Sequence, residues 1–311
     1  MLHKDTKQKR NSITSSLILL ITAIIWGGSF VAWVEGATSM GSFTFVSVRF
    51  AIGALALVPL IFIFERRGGS WHGEWKHTLR YGAITGAVVF AASTLQQFGI
   101  EMTGEAGRAA FINGLYVVLV PIFGLLFFRR RLGLLSVLGT VSAFAGLYFL
   151  SVSDGLGSIA LGDMLKALGA IGWSAHIMMI DTFSPRVRPL RLAMVQFATC
   201  AFLAGICMFV FEQPQIAQLQ AGLIPLLYGG LMSCATAYTL QILFQRNVEP
   251  AKAAIIYSME SLFAAIAGFW LLGEIMGWRG YLGGLLMFTG IILSQLKSQN
   301  KHFNQQQRSS V

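Results

Sequence analysis

The chain has 311 residues, of which 55% are hydrophobic and only 12% charged, with a formal net charge of +10 and a mean hydropathy of +0.66. Soluble domains carry about 25% charged residues, so this composition excludes a soluble globular domain and implies an integral membrane protein. A net charge of this sign would suggest nucleic acid in a soluble chain; here the basic residues fall in short connections between apolar segments, and no nucleic-acid partner is expected.

A basic run, Lys4, Lys7, Lys9 and Arg10, precedes an apolar stretch from Ile13 to Val34. That stretch is too long for the apolar part of a signal peptide and lacks a clear small-residue cleavage site, so it reads as a retained first helix. Nine further apolar windows follow, at about 43–64, 78–100, 106–128, 132–152, 161–181, 190–211, 220–244, 251–273 and 279–296. Their lengths suit spans of a hydrocarbon core about 30 Å thick. Residues 1–12 and 297–311 read as cytoplasmic tails. Cys200, Cys207 and Cys234 all lie inside apolar segments. They show neither a C-x-x-C nor a metal-ligand spacing, and they read as small packing residues.

The chain repeats itself. Glu105 to Leu150 aligns without a gap on Glu249 to Ser294, an offset of 144, and 11 of the 46 pairs are identical. Chance in so apolar a composition gives about four. Gly124/Gly268, Gly133/Gly277, Gly139/Gly283 and Gly146/Gly290 are among the identities. Further upstream the offset is 147, where Trp26 meets Trp173 and Arg49-Phe50 meets Gln196-Phe197. Two units result, 13–152 and 161–296, each of five helices.

An odd helix number per unit inverts the second unit in the membrane. With the N-terminus in the cytoplasm, 19 basic residues fall inside and three, Arg108, Lys166 and Arg279, fall outside, which favours N-in and C-in ends. The hinge before the last helix fits the same scheme: Arg129, Arg130 and Arg131 in the first unit stand opposite Gly273, Glu274 and Ile275 in the second. Inverted repeats are a transporter signature, with the site near the midplane where the halves meet.

Trp26-Gly27-Gly28-Ser29-Phe30 resembles the W-G-x-[SN]-F opening of EamA-type members of the drug/metabolite transporter superfamily. Arg49-Phe50 resembles the R-F of their second helix. Met259-Glu260-Ser261-Leu262-Phe263, with Gly268 and Leu272-Gly273-Glu274, resembles their ninth-helix pattern, and Gly280 to Ile291 their tenth. Ser261 stands where that pattern has proline, and Arg130 where first units often have an acid. The resemblance implies an all-α integral membrane protein of ten helices in two inverted five-helix repeats. It also implies a central cavity lined by the first, third, fourth, sixth, eighth and ninth helices, and export of small metabolites or amino acids.

Polar and aromatic residues within the spans share single helical faces. These candidates for substrate binding are Trp26 and Ser29, Gln97, Asn113 and Tyr116, Trp173 and His176, Tyr238 and Gln241, and Tyr257 and Glu260. Several pair across the repeat, as Gln97 does with Gln241, Asn113 with Tyr257, and Tyr116 with Glu260. Facing lipid would leave them unsatisfied. Glu260, about nine residues into its span, reads as a partner for a substrate ammonium or a proton-coupling site, against a glutamate hydrogen-bonded to Arg49 or Tyr257. Arg49 reads as an anchor for a substrate carboxylate, against snorkelling outward or pairing with Glu35. Trp33 continues the face of Trp26 and Ser29 and alternatively suits an outer aromatic belt. Gly280, Gly283 and Gly284 suit close helix packing within the monomer in preference to a homodimer contact, and Gly27, Gly28, Gly229 and Gly230 suit bending.

No nucleotide loop, activated nucleophile, cofactor motif or metal spacing is present. The reading is a secondary transporter of a small polar or amphiphilic metabolite, such as an amino acid, working by alternating access in a bacterial cytoplasmic membrane. Its partners are a small-molecule substrate and the bilayer. A multidrug or quaternary-amine exporter is the nearest rival, and a non-transporting subunit or sensor a rival of another class.

Overall fold

The computed structural model describes residues 2–65, 74–104, 106–129, 132–151, 161–272 and 277–296. Arg130, Arg131, the Gly273 to Ile275 hinge, the linker at 152–160 and the tail from 297 lie outside the described residues. In lipid every backbone polar group must be satisfied within the chain, and among the described residues the backbone is helical almost throughout, with no strand.

The helices are α1 (Leu2–Ser39), α2 (Ser42–Glu65), α3 (Glu74–Thr103), α4 (Ala106–Asn113), α5 (Tyr116–Leu126), α6 (Leu134–Ser151) and α7 (Leu161–Phe183) in the first part of the chain. They continue with α8 (Pro189–Phe211), α9 (Ile216–Ala221), α10 (Leu223–Leu227), a π-helical segment (Tyr228–Tyr238), α11 (Thr239–Phe244), α12 (Pro250–Tyr257), α13 (Glu260–Leu272) and α14 (Trp278–Leu296). Proline opens α8 and α12, where its missing N–H would have no helical partner anyway. At the start of α2, Glu212 from the end of α8 accepts Phe43 N–H and Thr44 N–H, both at 2.8 Å. It thereby supplies the acceptors a helix start lacks. Six helices are long and apolar enough to cross a membrane, at 12–39, 42–63, 75–103, 109–126, 189–211 and 223–247, and Leu134–Phe149 is a shorter apolar helix.

The helix pairings repeat when the two halves are exchanged. α1 packs on α12 and α13 as α7 packs on α4 and α5. α3 packs on α7 as the π segment and α11 pack on α1. The pairs α2 with α8 and α6 with α14 each map onto themselves.

The α6–α14 crossing shows how glycine permits this. A Cβ on Gly146 would stand 2.5 Å from Gly283 O, and one on Gly139 would stand 2.8 Å from Gly290 O. Rising numbers on α6 meet falling numbers on α14, so the helices run antiparallel. Because Gly139 is the repeat mate of Gly283, and Gly146 of Gly290, the same surface is used on both sides, as in a two-fold contact. Gly27 and Gly230 also serve close approach: their Cβ atoms would fall 2.5 Å from Phe263 Cβ and Ile52 Cγ2. These two are packing glycines, where the sequence suggested bending.

Two breaks interrupt the bundle, and they too are repeat mates. α4 gives way to α5 at Gly114-Leu115, and α12 to α13 at Ser258-Met259. At each, one amide tightens from an i−4 to an i−3 partner: Leu115 N–H reaches Ile112 O, and Met259 N–H reaches Ile256 O, both at 3.2 Å. Two positions on, Val117 N–H goes to Gly114 O and Ser261 N–H to Ser258 O. Leu115, with ψ −20°, and Ser258, with ψ −16°, have the backbone of a 3₁₀ turn. Serine in place of the usual proline at 261 does not keep the helix whole. Ser258 Oγ instead donates to Ile255 O, the carbonyl that Met259 N–H no longer uses, and Ser261 Oγ donates across to Ala110 O.

Gly146→Val is expected to destabilise the protein by about 1–3 kcal/mol through the overpacked α6–α14 crossing, read as a lowered thermal midpoint in detergent. Gly277→Ala, with nothing within 4 Å of the added carbon, should leave the midpoint unchanged.

Candidate functional site: a carboxylate cavity between the halves

The two breaks place four side chains together. Asn113 and Tyr116 flank the first, Tyr257 and Glu260 the second. Glu260 is the first residue of α13, where the partial positive charge of a helix start favours an acid. Its Oε1 accepts Asn113 Nδ2–H at 2.7 Å and Tyr116 O–H at 3.0 Å. Both donors come from the other half of the chain. The carboxylate is 4% exposed, and no lysine or arginine pairs with it among the described residues. Neither Arg49 nor Tyr257, the two structural partners considered from sequence, bonds it.

Aromatic rings surround this acid. Gly27 lets α1 press on the start of α13 and brings Trp26 against Tyr238 and Tyr257, with ring centroids 4.8 and 5.3 Å apart. Tyr238, at the end of the π segment, stacks on Trp173 at 5.9 Å, and Trp173 is oriented by its indole N–H, which donates to Gln96 Oε1. Phe30, Trp33 and Ile177 complete a cavity of about 30 Å³. A space of that size holds a water molecule or a compact charged group.

A chain of amides closes one side. Gln245 Nε2 donates to Ile177 O at 2.7 Å. Gln245 Oε1 then accepts Gln241 Nε2–H at 3.0 Å and Tyr257 O–H at 3.1 Å. The repeat mate of Gln241, Gln97, donates instead to Trp33 O on α1 at 3.0 Å.

Nine of the eleven candidate binding residues line the cavity: Trp26, Asn113, Tyr116, Trp173, His176, Tyr238, Gln241, Tyr257 and Glu260. Two do not. Ser29 is fully buried and donates to Ile25 O within its own helix, and Gln97 is spent on Trp33 O. Trp33 itself is 5% exposed and part of the wall, not of an outer belt. Its place was legible, since it lies seven residues after Trp26 on the same helical face. Ile177 carried no such signal.

Arg49 corrects its expectation in another way. It is 1% exposed, so it does not snorkel, and it makes no ion pair with Glu35 among the described residues. Its guanidinium lies 4.5 Å from the Trp33 ring, 4.9 Å from Phe50 and 5.2 Å from Phe45. It stands behind Trp33 rather than in the cavity wall. His176 shares a 3.2 Å hydrogen bond with Gln196, the repeat mate of Arg49. Among the described residues no cluster of histidine, cysteine and acid suits a metal.

A carboxylate lined by ring faces, with no counter-charge among the described residues, is suited to binding a cation. Asn113→Leu should cost about 1.5–3 kcal/mol by stranding one side of a charged hydrogen bond. The double variant with Glu260→Leu should cost less than the sum of the two, since the buried charge is then gone. Thermal unfolding of the four proteins in detergent checks both.

The chain matches the EamA-like transporter family model twice, over residues 13–152 and 160–296. A protein of Archaeoglobus fulgidus named an uncharacterized transporter is 29% identical over 91% of this chain and 86% of its own length. The uncharacterized transporter YwfM of Bacillus subtilis is 26% identical over 89% of this chain and 92% of its own. A solved crystal structure superposes with a TM-score of 0.76 over 92% of this chain and 99% of that chain, at 15% identity, which shows a shared fold alone. Matched along nearly its whole described length, the chain belongs to the EamA-like transporter family and is a multi-pass membrane protein of the transporter class.

Proposed function

We propose that the protein is a secondary transporter of a small amphiphilic metabolite that carries an ammonium group, amino acids among them. The observation that carries this reading is Glu260: a buried carboxylate, held by two neutral donors, walled by aromatic rings and paired with no cation among the described residues. Leaving such an acid in a membrane costs about 2.5–3.5 kcal/mol on insertion scales, a cost that a bound cation offsets. An amino acid's carboxylate would look to Arg49, whose guanidinium packs against Trp33 of the aromatic wall.

Transport proceeds by alternating access between two inverted five-helix repeats. Three findings support that architecture: the exchange symmetry of the helix pairings, the antiparallel glycine crossing and the matched breaks in α4–α5 and α12–α13. The 19-to-3 distribution of basic residues supports cytoplasmic termini in a bacterial inner membrane. The small cavity is read as an occluded state, and export is preferred by family resemblance. Glu260 serves either as ammonium site alone or also as the proton carrier for coupling.

Thermal stabilisation of the purified protein by amines, amino acids, nucleosides and sugars tests the reading. A binder at 100 times its dissociation constant adds about 2.7 kcal/mol. Amine-bearing compounds should stabilise the wild type and fail to stabilise Glu260→Gln, and the same variant should lose uptake into proteoliposomes. Stabilisation by nucleosides or sugars that survives the substitution would contradict the reading.

A further inference from the structure

The cavity wall carries more unmet acceptors than one carboxylate requires, and their orientation can be worked out atom by atom. Ile177 O is a backbone carbonyl and only accepts, so Gln245 must present its NH₂ to it. Gln245 Oε1 therefore faces Gln241 and Tyr257. Gln241 must then offer its own NH₂ to Gln245, which leaves Gln241 Oε1 turned away, buried and without a partner. The same logic holds at the break: an ionised Glu260 only accepts, so Asn113 gives it Nδ2–H and keeps Oδ1 unpaired and buried. Both amides belong to the cavity wall. His176 Nδ1 is also unpaired, but Gln196 has no second bond among the described residues to fix its amide, so that ring nitrogen is donor or acceptor according to the tautomer. The unmet donors of the wall, the indole N–H groups of Trp26 and Trp33, suit an acceptor elsewhere on a ligand.

We infer that the site selects a cation with several N–H donors, a primary ammonium or a guanidinium, and discriminates against quaternary ammonium. The inference rests on the cavity being the substrate site and narrows its substrate class. An ammonium head offers three N–H groups, matching Glu260, Asn113 Oδ1 and Gln241 Oε1. A trimethylammonium head satisfies the charge and the rings but leaves both amide oxygens buried and unpaired. Sites built to hydrogen-bond a substrate reject analogues that lack the hydrogen bond far better than they reject a change of size.

The test compares 2-phenylethylamine with its N,N,N-trimethyl counterpart on the unmodified protein in detergent, with dissociation constants from tryptophan fluorescence and thermal stabilisation. The primary amine should bind at least about 10-fold more tightly, as expected for stranding a buried polar group. Gln241→Leu should narrow that gap. Equal or tighter binding of the trimethyl compound would overturn the donor selectivity while leaving a cation cavity standing. Failure of both compounds to bind would overturn the cation reading together with the inference. A full gap retained in Gln241→Leu would remove Gln241 Oε1 from the recognition set.

Discussion

The structure depends on one contact made across the repeat: the Glu260 carboxylate taking hydrogen bonds from Asn113 and Tyr116. Each of these residues exists where it does because a helix breaks. The tightened turns at Gly114-Leu115 and Ser258-Met259 rotate the following half-helices and aim their first side chains inward. The start of α13 lends Glu260 its dipole, and the opposite half lends the donors. Neither half could stabilise that acid alone, so the contact joins the halves and marks the place where they meet.

Around that contact the same device appears in two chemical versions. In the second half, Gln241 and Gln245 tie α11 and the turn after it to α7 and α12. In the first half, Gln97 ties α3 to α1, and Glu101, the mate of Gln245, accepts the Ser42 hydroxyl at the start of α2. Both ties close on a backbone carbonyl, Ile177 O or Trp33 O, which gives each a fixed partner and a clear broken state. Under the proposed alternating access, the two ties would be the contacts exchanged between states. Arg49 is another buried charge, packed against the rings of Trp33, Phe45 and Phe50.

Much of this was readable before any coordinates. Apolar spacing located the helices, and the offset of 144 paired the residues that the breaks bring together. The repeat also relates the members of that cluster: Asn113 is the mate of Tyr257 and Tyr116 the mate of Glu260, and each pair has one member at each of the matched breaks. What stayed hidden was local and geometric. Nothing in the sequence distinguishes Ser29, whose hydroxyl folds back on Ile25 O, from a cavity serine. Position along a span also does not show which neighbour covers a side chain: Arg49 lies against the rings of Trp33, Phe45 and Phe50, neither reaching outward nor paired with Glu35 among the described residues. The break in α12–α13 was obscured by the absence of proline, since two serine hydroxyls do its work by taking up the freed carbonyl and bridging to α4. The π segment likewise follows from packing against α1 and α2, which periodicity does not reveal.

Infrared difference spectroscopy reaches the central claim, that Glu260 is the cation site, most directly. Spectra of the purified protein would be recorded before and after adding 2-phenylethylamine, with Glu260→Gln as the reference. A carboxyl-group band that shifts on binding in the wild type and is missing from the variant is the expected result. A binding spectrum identical in the two proteins would place the cation elsewhere and reduce Glu260 to a strut between the halves.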